Sequence, residues 1–243
     1  MSEPADTNAA IWQSAEGVGA WTAEAEAQER KRVVHRRFMA SLLPFGEQQG
    51  FTFLDLGAGT GAASRIILDL FPRGTAILAD FSAEMMRAGE REMQPFAGRY
   101  RYVEFDMAAG EWPAAIPAAL DAVVTSMCVH HLPDDRKQGL FAEIFHHLAP
   151  GGWYFNYDPV RGDDPLVEAT WQRVTDDDDP ESAARLGRWR HENHERWANH
   201  VRYMIPLGPQ LGFLRSAGFE GVDVYWKQLE NVIYGGRRPA AEV

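Results

Sequence analysis

The 243-residue chain predicts an α/β fold, a doubly wound and mostly parallel sheet covered by helices on both faces. Three features point to it. Short apolar runs alternate with amphipathic segments from Phe51 onward, the first run ends in a glycine-rich turn that opens a helix, and acids close successive runs. Apolar runs separated by helical patterns mark βαβ units, whose strands are buried on both faces. Right-handed crossovers then leave few topologies.

Residues 1–20 are small and polar apart from Ile11, Trp12 and Val18, and read as a loose arm. Thr22 can cap a helix with Glu24 and Glu26 in its first turn, where the helix dipole favours acids. Val34, Phe38 and Leu42 recur at intervals of four, and Pro44 ends the segment. Residues 51–56 form the first strand, and Ile66, Ile67 and Leu70 give the next segment a helical face, closed by Phe71-Pro72-Arg73-Gly74. Residues 75–79 form a second strand, after which Ser82 can cap a helix holding Met85 and Met86. Residues 100–105 and 122–126 are the third and fourth strands. A helix from Asp134 or Asp135 carries Leu140, Phe141, Ile144, Phe145 and Leu148; Pro150-Gly151-Gly152 stops it, and residues 153–157 are a fifth strand.

Residues 160–205 break this rhythm and read as an insertion over the sheet. The run Asp176–Asp179 before Pro180 is expected as a solvated loop, followed by a helical stretch rich in Trp, Arg and His. Residues 211–217 close the chain as a helix, and 222–227 and 232–234 as an antiparallel hairpin turning at Leu229-Glu230-Asn231. The expected organisation is an arm and lid helix over 1–45, then one domain over 46–243 with a cap at about 160–205.

Composition narrows the function classes. Hydrophobic residues are 45% and charged residues 24%, enough for a real core. Lys and Arg number 24 against 35 Asp and Glu, a net charge of −11 that repels phosphate backbones and disfavours nucleic acid as a partner. No run approaches the roughly 20 apolar residues of a membrane span, and MSEPADTNAA lacks the apolar core of a secretory signal. The single cysteine, Cys128, excludes an internal disulfide and fits a reducing cytoplasm.

The informative segment is FTFLDLGAGTGAA at 51–63. Gly57, Gly59 and Gly61 follow a strand and open a helix, where a tight turn lets a ligand approach free N–H groups. Gly57-x-Gly59-x-x-Ala62 also fits the dinucleotide fingerprint. Asp55 just before the turn would repel a pyrophosphate and suits a ligand with a positive amino group. Asp80 ends the second strand, where an acid accepts from ribose hydroxyls, and Asp106 follows the third, where a carboxylate can accept from an adenine amino group. The ligand so described has an amino-acid end, a ribose and an adenine, with no phosphate required.

These residues resemble the class I S-adenosylmethionine-dependent methyltransferases from about Phe51 to Tyr234. The matching stretches are Asp55-Leu56-Gly57-Ala58-Gly59-Thr60-Gly61, Asp80-Phe81-Ser82 with Met85, Phe105-Asp106-Met107, residues 121–126 and LAPGGWYF at 148–155. The resemblance implies a seven-stranded sheet of order 3-2-1-4-5-7-6 with an antiparallel last strand, and S-adenosyl-L-methionine as cofactor. It places the backbone of Gly57, Ala58 and Gly59 at the methionine moiety, Asp80 at the ribose, Phe81 on the adenine, Asp106 and Met107 at the adenine edge, and Ser126 on the floor.

Methyl transfer from a sulfonium is an in-line displacement whose leaving group needs no proton, so alignment and water exclusion can supply much of the rate. His130 and His131 in VHHLPDD are candidate general bases for an acceptor hydroxyl or amine, with a loop-bracing role as the alternative. Asp158, just after the fifth strand, Tyr157 at its end, and Trp21 are candidate contacts for a small-molecule acceptor; for Asp158 a turn before Pro159 is the competing reading. His191, His194 and Glu195 with His200 lack the H-E-x-x-H pattern and read as a polar face beside Arg188, Arg190 and Arg196, so no metal site is expected. Trp12, Trp21, Trp171, Trp189, Trp197 and Tyr203 could wall a pocket for a planar acceptor, with Arg190 or Arg196 on an acid group. The competing functions are an NAD(P)-dependent oxidoreductase, a protein that only binds the cofactor, and an enzyme of a modified sulfonium.

Overall fold

The structure, a computed structural model, describes residues 32–241. After helix α1 over 32–41, the chain runs β1 (Phe51–Leu56), α2 (Ala62–Leu70), β2 (Gly74–Asp80), α3 (Ala83–Glu92), β3 (Tyr100–Glu104), β4 (Leu120–Ser126), α4 (Asp134–His147) and β5 (Leu148–Pro159). Three helices follow: α5 (Pro165–Asp178), α6 (Pro180–Glu192) and α7 (His194–Val201). Helix α8 (Leu207–Ala217), β6 (Glu220–Gln228) and β7 (Asn231–Arg237) complete it.

The sheet has the order β3-β2-β1-β4-β5-β7-β6, as the resemblance implies. Strands β1 to β5 pair in parallel, and β7 is antiparallel to both β5 and β6. Central strands β1, β2 and β4 are buried almost throughout, while edge strands β3 and β6 are mostly exposed or half-buried. The two-residue alternation of a strand sorts the core into two layers. Leu54, Leu56, Val123, Tyr154 and Tyr234 pack on the α4 and α8 side; Phe51, Phe53, Val124, Phe155 and Tyr157 pack on the α1 and α2 side. Each fully buried aliphatic side chain such as Ile67 or Leu68 contributes about 1.5–3 kcal/mol.

Several boundaries differ from expectation, each for a physical reason. In α1 the four-residue spacing marks the wrong face: Val34 is 66% and Phe38 39% exposed, while Arg36, Met39, Ala40 and Leu43 are buried. Those four fall at i, i+3, i+4 and i+7, one helical stripe headed by a cation. Strand β5 runs from Leu148 through Pro159, so Asp158 lies inside a strand, two residues from Asn156 on the same face, and not on a loop. The aspartate run is not a loop either. Asp176, Asp177 and Asp178 are the last residues of α5, held by Gln172 donating to Asp176 at 2.6 Å and Arg173 facing Asp177 at 3.4 Å. Pro180 then starts α6, a position where its missing N–H costs nothing. The expected arm and the start of the lid helix, with Trp12, Trp21 and Thr22, lie outside the described residues. Among the described residues no helix is long and apolar enough to cross a membrane.

Candidate active site

The turn after β1 is built for backbone contact. Gly57, Gly59 and Gly61 have φ of 73°, 54° and 80°, the left-handed region that side chains disfavour. The Gly57 and Ala58 N–H groups donate to the Ala79 carbonyl at 2.8 and 3.0 Å, which pins the turn against β2. A Cβ on Gly57 would stand 2.7 Å from Cys128 and 2.8 Å from the Met107 methyl; one on Gly59 would stand 3.0 Å from the Met85 methyl. At Gly61 the clash would be with Met93 and Leu78, so this glycine serves the packing of α2 on β2. Thus the tips of Met85 and Met107, with Cys128, roof Gly57 and Gly59.

The acids divide. Asp55 follows Phe51 and Phe53 in parity and therefore faces α2, where its carboxylate accepts from the Ser64 N–H at 3.1 Å and Ser64 Oγ at 2.7 Å. It caps that helix from outside. Burial pushes Asp55 up to about 6, against the opposing pull of Ser64 and the Arg36 cation. Asp80 accepts from the Gly59 N–H at 2.8 Å and the Ser82 N–H at 2.9 Å; burial raises it as well. Ser82 in turn caps α3 through Met85 N–H. Asp106 is exposed, and its carboxylate accepts from Ala108 N–H at 2.9 Å, within its own turn. Phe81 is half-buried beyond the tip of β2. The Ser126 hydroxyl, at the end of β4, accepts from Arg36 Nε at 2.9 Å.

Across the carboxyl ends of β4 and β5 stands a second group. His130 lies in the one-turn 3-10 helix Val129–His131, and both it and Asp158 are buried, 2% and 1% exposed. One Asp158 oxygen takes His130 N–H at 2.7 Å and the other faces His130 Nδ1 at 2.7 Å. Burial dominates, so all three of His130, His131 and His200 are held down as neutral imidazoles, and Asp158 is pushed up. Behind Asp158 runs a buried polar chain. Asn156 donates to the Tyr234 hydroxyl at 2.8 Å, which donates to Gln210 at 2.6 Å, while Thr125 donates to Asn156 at 2.8 Å. Helix α7 brings His200 onto the two histidines, with ring centroids 5.0 Å from His130 and 5.3 Å from His131. Lys137, fully buried, donates to the Leu132 carbonyl at 2.6 Å and to that of Tyr203, tying the histidine turn to the segment just after α7. On the opposite sheet face, His35 Nδ1 lies 3.0 Å from the buried Tyr157 hydroxyl.

The expected cofactor residues Gly57, Gly59, Asp80, Met85 and Met107 therefore converge on one turn, Ser126 is tied to α1 through Arg36, and the Asp106 carboxylate bends back on its own backbone. Trp21 lies outside the described residues, as does the Arg196 side chain. His191, His194 and Glu195 are exposed and stand apart from His200's partners. Arg36, Cys128, Asn156 and His200's pairing escaped the sequence reading. A charged residue heading an otherwise apolar i, i+3, i+4, i+7 stripe was the available signal for Arg36.

A family model described as a methyltransferase domain matches residues 53–152. Over that segment the chain is similar to methyltransferase domains. The match takes in the glycine turn, Asp80, Asp106, Ser126 and both turn histidines; Asp158, helices α5 to α7 and His200 lie beyond it. The chain is similar to a trans-aconitate 2-methyltransferase of Azoarcus sp., 27% identical over 139 residues, which are 57% of this chain and 49% of that protein. It thus spans about half the length of that relative. In fold, the chain is similar to an O-methyltransferase family protein from Burkholderia thailandensis. That likeness has a TM-score of 0.65 at 17% identity and covers 96% of this chain and 64% of the other. The human N-acetylserotonin methyltransferase solved with SAM gives 0.65 at 16% identity, covering 95% and 58%.

Proposed function

We propose that this chain transfers a methyl group from S-adenosyl-L-methionine to a small-molecule acceptor. The observation that carries the reading is the left-handed glycine turn inside the matched methyltransferase domain, roofed by flexible thioether tips and flanked by the buried Asp80. Unbranched methionine side chains can swing aside, whereas a Cβ on Gly57 or Gly59 could not, so the residues present fit the cofactor. When bound, S-adenosylmethionine supplies an electrophilic methyl on a sulfonium.

In this reading the turn Gly57-Ala58-Gly59, whose N–H groups are not free as expected but given to Ala79 and Asp80, receives the ammonium of the amino-acid end on its carbonyl side. Asp80 keeps lone pairs beyond those given to Gly59 and Ser82 and accepts from ribose hydroxyls. Phe81 packs on the adenine, and Asp106 and Met107 meet its edge. Ser126 forms the floor and positions Arg36, whose guanidinium holds the ligand carboxylate. Asp55 acts through the turn: its charge favours the ligand's ammonium while its oxygens cap α2. The acceptor binds under α7, beside the half-buried His131 and His200, and the net charge of −11 supports a small molecule over a nucleic acid.

Calorimetry with S-adenosylhomocysteine and with NAD separates this reading from an oxidoreductase. Selective uptake of the sulfur nucleoside is expected; preferential NAD binding would overturn it. Transfer of labelled methyl to candidate acceptors distinguishes an enzyme from a protein that only binds the cofactor.

A further inference from the structure

Outside the glycine turn, one cluster of side chains has an arrangement that packing does not explain. Each of His130, His131 and His200 offers a ring nitrogen, and these atoms all lie within 4.8 Å of one another. They come from two segments about 70 residues apart, the turn after β4 and the cap helix α7. Asp158 takes the Nδ1 side of His130 and its peptide N–H, which leaves Nε2 as the ring nitrogen available to a ligand. That Nε2 is buried and lacks a hydrogen-bond partner. A sealed, unpaired nitrogen costs roughly 1–3 kcal/mol, so its retention calls for an occupant.

We propose that His130, His131 and His200 bind one divalent transition-metal ion of the zinc type, with Asp158 as the positioning residue for His130. A carboxylate on the far nitrogen of a liganding imidazole fixes its orientation and raises its basicity, the usual outer partner of a metal histidine. Asn156, packed behind Asp158 and tied to Thr125 and Tyr234, holds that carboxylate in turn. Three imidazoles without a liganding carboxylate suit Zn2+, Co2+ or Ni2+ and not Mg2+ or Ca2+, which require oxygen. Zn–N bonds of about 2.0–2.1 Å in a tetrahedron put nitrogens roughly 3.4 Å apart, so the rings close by about 1.4 Å at most. Three protein ligands leave a fourth tetrahedral position open to a small oxygen ligand. Under the proposed methyl transfer, and resting on that reading, the fourth ligand is the acceptor's oxygen, with its proton already lost to solvent.

The ion also bridges the cap to the sheet, because His200 stands on α7 and His130 on the sheet rim. Metal-free protein, prepared by chelator dialysis, is titrated with zinc chloride by calorimetry and with cobalt chloride by visible absorption. One equivalent of zinc and a tetrahedral cobalt spectrum are expected. His200→Ala and His131→Ala each weaken zinc at least about 100-fold, and Asp158→Asn weakens it about 10–100-fold. A His191→Ala/His194→Ala double variant, altered at exposed positions, retains wild-type affinity. Circular dichroism confirms that each variant is folded, and the cobalt spectrum of the wild type is independent of any substitution. Absence of binding to the wild type, undiminished zinc binding in the His131→Ala/His200→Ala double variant, or loss in the His191→Ala/His194→Ala variant overturns the proposal. Because no cofactor is present, failure here leaves the S-adenosylhomocysteine measurement untouched, and the converse also holds.

Discussion

The two sides of the candidate site are made differently. On the glycine side the work falls to backbone: three alternate left-handed glycines, N–H groups pinned to Ala79, and Asp80 closing on Gly59. On the histidine side it falls to side chains gathered from the β4 turn, β5 and α7, with Asp158 as their hub. A backbone site tolerates change in the residues around it but not in its own conformation; a side-chain site tolerates backbone adjustment but not loss of a functional group. Gly57→Val tests the contrast most severely. A left-handed φ costs a residue with a Cβ roughly 1–2 kcal/mol, and here that Cβ also meets Cys128 at 2.7 Å. We expect S-adenosylhomocysteine affinity to fall at least about 100-fold by calorimetry. Gly59→Ala, which meets the mobile Met85 tip at 3.0 Å, should lose less. Equal losses at the two positions would show that conformation alone, and not the Cys128 contact, sets the tolerance.

Asp55 brings the comparison to charge. Its folded value of about 6 lies above the ordinary 3.8, so the native state holds this proton more tightly between those values. Stability from this group is therefore full below about pH 4 and is lost as pH rises through 6, at up to about 1.4 kcal/mol per pH unit. Urea unfolding of wild type and Asp55→Asn at pH 4.5, 5.5 and 7 should show the variant gaining relative stability as pH rises. A difference that does not change with pH would mean that the carboxylate sits in water and not against α2.

The same division decided what could be read from the sequence. The strands and the glycine turn were legible because each is written in contiguous residues, an apolar run in 51–56, a turn at Gly57 to Gly61, a cap at Ser82, and the sheet order followed from the family resemblance that those residues carry. The histidine side was not, since nothing local links His130 to His200 or moves Asp158 from an apparent loop into β5. Pairing with β7 extends that strand to Pro159, and only tertiary structure supplies the partner. The face of α1 was misjudged because Val34 and Phe38 outscore Arg36 in hydrophobicity, whereas Ser126 and Asp55 supply the polar partners that make a buried guanidinium acceptable. The aspartate run was misjudged because side-chain pairs four apart, Gln172 with Asp176 and Arg173 with Asp177, carry the helix through it.

Arg36 joins the two sides, reaching from α1 to the tip of β4. If its cation meets the carboxylate of the cofactor's amino-acid end, Arg36→Ala should weaken S-adenosylhomocysteine about 10–100-fold, the worth of one charge-assisted hydrogen bond. Methylthioadenosine, which lacks that end, should bind the variant within about twofold of wild type. Parallel losses for both ligands would reassign Arg36 to holding the strand tip through Ser126.

The smallest effect concerns the cap, where neither backbone nor buried side chains are at stake. Asp178 is exposed in the last turn of α5, where the helix dipole presents negative partial charge to a carboxylate. Asp178→Lys reverses that interaction and should raise stability by about 0.3–1 kcal/mol at low salt, fading at 1 M salt as screening shortens to about 3 Å. Thermal unfolding at the two salt concentrations measures it. Cofactor affinity should not change, since α5 adds nothing to the glycine turn. A gain that persists in high salt would point to packing instead of charge, and a change in S-adenosylhomocysteine affinity would show that the cap and the glycine side are coupled through more than the histidine cluster.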